Sequence, residues 1–122
     1  MNHEHIKALD KLIAAVESGG DAIQHNIYIK SAHAFPPESA YGKCPFYEVP
    51  HAFYGSLGAA KALHEALLPG WVWKLESYDG FSLAWVGPPS EMLLREHETD
   101  INNPARAWLI AILKAYRSTL SS

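Results

Sequence analysis

The dipeptide Asp79-Gly80 constrains this chain more than any other feature, because it separates two apolar-rich runs, residues 71–78 and 81–86. Aspartate followed by glycine suits a two-residue hairpin turn of type I′. A turn of that length fixes the register. Tyr78 is expected opposite Phe81, Glu76 opposite Leu83 and Lys74 opposite Trp85. Side chains alternate along a strand, so both faces can be written down. Trp73, Leu75, Ser77, Ser82, Ala84 and Val86 share one face, and Val72, Lys74, Glu76, Tyr78, Phe81, Leu83 and Trp85 share the other. The first face sets bulky residues against small ones, as a core does. The second is amphipathic, and Phe81, Leu83 and Trp85 make its second strand too apolar for open water. Another layer of the chain, a second copy or a partner protein is expected to cover it.

Helical spacing frames this hairpin. Ile6, Leu9, Ile13 and Val16 recur three and four residues apart and predict a helix over 3–18, ended at Gly19-Gly20. Asp21 is a candidate cap for a second helix to about Ala34, although Ile27-Tyr28-Ile29 also suits a strand. Ser56 looks like the cap of a helix with Leu57, Ala60, Leu63 and Leu67 on one face, stopped by Pro69-Gly70. Asn103 and Pro104 open a final helix to about Thr119, with Ala105, Trp108, Leu109, Ile112, Leu113 and Tyr116 as its apolar stripe. Residues 91–98 read as a helix by propensity, with Ser90 as cap. They read as a third strand by position, because a lone hairpin is marginal.

Residues 35–54 stand apart. Pro36, Pro37, Pro45 and Pro50 forbid a regular helix or central strand, and six aromatic residues make the segment too sticky for a free linker. Its rings are expected to tuck against the core, with Tyr41, Phe46 and Tyr47 as alternative contacts for a partner.

Charge and chemistry exclude more than they suggest. The 122 residues argue for one domain spanning 1–122, with a net charge of −3 and a single cysteine. No block of like charges marks a nucleic-acid arm, and Lys61, Lys74, Arg95, Arg106, Lys114 and Arg117 are spread over several predicted elements, so nucleic acid is disfavoured. No apolar run could span a bilayer, and the polar N-terminus lacks a signal-peptide plan, which gives a cytoplasmic expectation. Cys44 and His51 offer a nucleophile and base only if they converge. The seven histidines show no metal-ligand spacing. No catalytic residue, metal or cofactor is expected from these patterns.

Two segments resemble a known family. They are the run from Tyr54 through Ser56, Leu57, Ala59 and Ala60 to Gly70 and Trp71, and the closing run with Pro104, Ala105, Ala107, Leu109, Ala111, Leu113 and Lys114. Together they resemble the phage ABA sandwich domain of small phage and prophage proteins, over about residues 54–116. Gly58 and Ile110 depart from the family pattern, which has an acid and often a cysteine there. The resemblance implies a sheet sandwiched by helices and a phage or prophage origin. It implies no reaction.

The combined expectation is an α+β domain: a small antiparallel sheet of about three strands, built on the hairpin 71–86 and sandwiched by three to four helices. The expected function is that of a phage accessory protein acting in the host cytoplasm through a protein partner or homodimer. Inhibition of a host defence system such as CRISPR is its sharper form. Phe81, Leu83 and Trp85 are the leading contact residues, with Tyr41, Phe46 and Tyr47 next. The alternatives are a small hydrolase or transferase using Cys44 and histidine, and a self-assembling component of the phage particle.

Overall fold

A computed structural model describes residues 3–18, 24–35, 44–88, 94–98 and 103–120; within those ranges the side chains of 24–26, 28, 44–47 and 94–98 lie outside the description. The chain is α+β. The described elements run α1 (His3–Ser18), α2 (Gln24–Ala34), α3 (Cys44–Phe53), α4 (Leu57–Leu67), β1 (Val72–Tyr78), β2 (Phe81–Gly87), β3 (Leu94–Glu98) and α5 (Pro104–Leu120).

The hairpin keeps the register set by its turn: Tyr78 faces Phe81, Glu76 faces Leu83 and Lys74 faces Trp85. The turn itself is not type I′. That type needs positive φ at both central residues, and only Gly80 has it (φ +86°). Asp79 keeps a negative φ, so glycine alone takes the left-handed position. Residues 94–98 form a strand that pairs antiparallel with β2, which makes β1 and β3 the edges of the sheet among the described residues.

Helix α5 organises the fold. The expected stripe is buried, but so are Arg106, Ala107, Ile110, Ala111 and Ala115, so the helix is enclosed on nearly every side. A helix apolar all round belongs in a core. On one side α5 lies across the sheet, chiefly over β2 and β3; on the other it meets α1, α3 and α4. The layer order is therefore helices, α5, sheet. Among the described residues the expected sheet between helices is seen on one face: α5 is the middle layer, and it covers that face. Five described helices also exceed the three to four expected.

The additional helix is α3, inside the proline-rich segment. Pro45 sits in its first turn, where the missing N–H is harmless, whereas Pro50 lies within the helix. An interior proline costs about 3 kcal/mol or more. Val49, Ala52 and Phe53 are each at most 1% exposed, and burying such side chains gains about 1.5–3 kcal/mol for the larger ones. Tertiary burial thus outweighs the broken ladder.

The segment then turns at Gly55 (φ +116°), whose N–H donates to the Ala52 carbonyl (3.0 Å). Ser56 caps α4 by accepting from the Ala59 N–H (3.1 Å). The buried face of α4 is Ala59, Ala60, Leu63, His64 and Leu67, whereas Leu57, expected on that face, is 45% exposed. Asn103 caps α5 through the Arg106 N–H (3.0 Å). In α1 the buried set is Leu9, Leu12, Ile13 and Val16; Ile6 is only half-buried. Asp21 lies outside the described residues.

Candidate functional site

The inner sheet face is core: Ser82, Ala84 and Val86 are fully buried beneath α5. Trp73 shares that face, but it is 44% exposed rather than enclosed as its face predicted. It lies at the sheet edge with its ring on Trp108 (centroids 4.3 Å apart).

The outer face carries the leading sequence candidates. At the turn end Tyr78 and Phe81 stack in parallel (5.0 Å, 22°). Toward the other end the Lys74 ammonium sits over the Trp85 ring (5.3 Å). Glu76 joins the two ends, accepting from the Tyr78 hydroxyl (2.6 Å) and pairing with Lys74 (3.4 Å). Leu83, directly opposite Glu76, is only 7% exposed, while Phe81 and Trp85 are half-buried. Leu83 is therefore a floor, and the presented atoms belong to Phe81, Trp85, Val72 and Tyr78. Among the described helices none packs broadly on this face. Of the second-rank candidates, Tyr41 lies outside the described residues, and Phe46 and Tyr47 lie on α3 with side chains outside the description.

Behind the sheet, His64 ties three elements together. The Trp108 indole N–H donates to His64 Nδ1 (3.3 Å), and His64 Nε2 lies 3.1 Å from the Trp71 carbonyl oxygen. An indole nitrogen only donates, so Nδ1 must accept and Nε2 must carry the proton. His64 is thus a neutral tautomer that fixes α5 and the residue leading into β1. Burial pushes its pKa below the ordinary 6.5, against the smaller opposing effects of the Trp71 carbonyl and Glu65. A second buried polar group, Arg106, donates from Nε to the Phe53 carbonyl (3.1 Å) and stacks its guanidinium on the Phe53 ring (4.0 Å).

A groove of about 770 Å³ runs between α1 and α2, lined by Lys7, Lys11, Lys30, His33, His5 and Glu4 with Ala8, Ile29 and Ala32. Sequence reasoning missed it. The signal was there: Lys7 and Lys11 are one helical turn apart, Lys30 and His33 likewise, and a short connection makes two helices antiparallel neighbours.

The thiol and imidazole candidates lie on one helix. Cys44 and His51 are the first and eighth residues of α3, so their backbones are separated by about 10 Å along the axis at 1.5 Å per residue. That spacing does not make a nucleophile–base pair. Among the described residues no three His, Cys, Asp or Glu side chains gather as a metal site needs, and no helix is long and apolar enough to cross a membrane. Comparison with family models, with curated proteins and with solved structures gives no match.

Proposed function

We propose that this chain is a non-catalytic binding protein that engages another protein through the outer face of its β1–β2 hairpin. The carrying observation is that face: Val72 and Tyr78 exposed, Phe81 and Trp85 half-buried, and no described helix laid broadly over them. Aromatic side chains around a buried aliphatic floor are the composition of interface hot spots. Glu76 and Lys74 hold the rings in place before any partner arrives, which lowers the ordering cost of binding. The resemblance to phage sandwich domains supplies a setting, a phage accessory protein acting on a host component such as a defence complex.

The test compares wild type with Phe81→Ala and Trp85→Ala in pull-downs from the host cell. A specific partner retained by wild type and weakened about tenfold or more by either variant, with far-UV circular dichroism unchanged, supports the reading. Equal retention by folded variants refutes it. Full biological effect in Cys44→Ala would remove the remaining thiol-enzyme alternative.

A further inference from the structure

The edge of β1 is distinct from the outer face. Three of the six large apolar residues exposed in the described chain lie on this one strand: Val72 (42%), Trp73 (44%) and Tyr78 (46%). They point to both faces of the sheet, so no single cover over one face would bury them. The strand is seven residues long, contains no proline, and its one cation, Lys74, is balanced by Glu76. Natural edge strands are usually blunted by such devices, and a long apolar edge without them pairs with another strand.

We propose that β1 pairs antiparallel with β1 of a second copy, in a register centred on Leu75. The strand's own sequence selects that occupant. Pairing about Leu75 uses all seven residues and sets Lys74 opposite Glu76 of the partner twice over, Val72 opposite Tyr78 twice, and Trp73 opposite Ser77 twice. Centring on Lys74 or Glu76 instead would oppose two lysines or two glutamates, which destabilises a ladder.

The backbone agrees. Across a two-residue turn Tyr78 and Phe81 form a hydrogen-bonded pair, so Val72, Lys74, Glu76 and Tyr78 direct their N–H and C=O groups to β2. Trp73, Leu75 and Ser77 direct theirs outward, in an arrangement symmetric about Leu75. Lys74 and Glu76 of the partner then fall at a non-hydrogen-bonded site, where side chains come closest. Because α5 lies over β2 and β3 and only skirts β1, two copies can join with both α5 helices on one side. The product is a continuous six-stranded sheet carrying two copies of the Phe81–Trp85 surface.

Sedimentation equilibrium of the full chain over a wide concentration range tests this. Wild type is expected to show a monomer–dimer equilibrium. Lys74→Glu and Glu76→Lys each place like charges opposite one another at two sites and should weaken dimerisation about tenfold or more. Mixing the two variants restores opposite charges at both sites and should yield the heterodimer. Ser77→Pro removes an outward N–H without touching the β1–β2 ladder, so it should weaken the dimer while the monomer stays folded by circular dichroism. A wild type that remains monomeric into the millimolar range overturns the proposal. So does a dimer indifferent to all three substitutions, or a variant mixture no more dimeric than its parts. Retention of a host partner by a monomeric Ser77→Pro protein, whose substitution lies off the outer face, would leave the outer-face reading intact, so the two can fail separately.

Discussion

Replacing His64 with leucine should destabilise the protein, and the cost should shrink as the solution is acidified. At neutral pH the substitution leaves the Trp108 indole N–H and the Trp71 carbonyl without His64, their partner at 3.3 and 3.1 Å. An orphaned buried group costs about 1–3 kcal/mol, so two cost about 2–5 kcal/mol once leucine's apolar contacts offset part of the loss. The pH dependence follows from burial holding His64 below its ordinary 6.5. Between 6.5 and the lower folded value, the unfolded chain binds the proton more readily, so acidification favours unfolding. The His64 contribution is whole above 6.5, falls as pH drops, and levels off below the folded-state value. Urea unfolding of wild type and His64→Leu across mildly alkaline to mildly acidic pH reads both effects. Subtracting one series from the other cancels the remaining histidines and the carboxylates. A gap that stays constant with pH would refute the assigned tautomer and its burial. A gap below about half a kilocalorie per mole at neutral pH would refute the claim that the two bonds matter.

Two further substitutions test how α3, α4 and α5 are joined. Gly55→Ala forces a side chain into φ +116° and should cost at least about 1–2 kcal/mol in the same urea assay; the nearest Asn103 atoms, 3.8 Å from the added carbon, impose no clash, so the cost is conformational. Arg106→Lys cannot reproduce both the Nε bond to the Phe53 carbonyl and the guanidinium contact over its ring, and should lower stability by about 1–3 kcal/mol despite conserving charge. Asp10→Asn breaks the 2.8 Å pair with Arg117 that links α1 to α5, yet it should cost less than about 1 kcal/mol and fade with added salt, because both groups are partly exposed.

The features legible in the sequence are those set by local rules. A two-residue turn imposes the register of the hairpin whatever surrounds it, and Ser56 and Asn103 cap their helices through contacts three residues away. What escaped depended on neighbours distant in the chain. Alternation assigned Trp73 to the inner face correctly, but its exposure depends on where α5 ends its cover, which no local pattern encodes. The prolines of 35–54 carried a true local penalty, and α3 forms because Phe53 and Val49 find a core supplied by other helices. In α4 the expected Ala60, Leu63 and Leu67 do face inward, joined by Ala59 and His64, while Leu57, the first residue of the helix, is left 45% exposed. The site shows the same division. Phe81 and Trp85 were identifiable from register alone, whereas the burial of Leu83 between them and the meeting of Lys7, Lys11 and Lys30 in one groove required the tertiary arrangement.

The aromatic residues of the outer sheet face find their explanation in the layer order. Had helices enclosed the sheet on both sides, Phe81 and Trp85 would be core, and the strand between Trp71 and Asp79 would need no charged pair. With α5 as the middle layer, no described helix is laid broadly over the outer sheet face, and among the described residues its own side chains finish it. Glu76 does this within one copy by clasping Tyr78, which stacks on Phe81, and Lys74, which sits over Trp85. The same two charged residues, read across a two-fold axis at Leu75, become the complementary pair between copies. One short alternation, Val72-Trp73-Lys74-Leu75-Glu76-Ser77-Tyr78, thus serves both surfaces: its outward side chains order the face offered to a partner, and its outward backbone joins that face to a second one. A partner binding the joined sheet would meet two identical aromatic patches, so disrupting the β1 edge should weaken capture of a multivalent target more than capture of a monovalent one. Comparing wild type with Ser77→Pro, which alters the edge and leaves the outer-face side chains in place, against the same partner, free in solution and displayed on a surface at high density, measures that difference. Equal losses in the two formats would show that the edge and the outer face act independently.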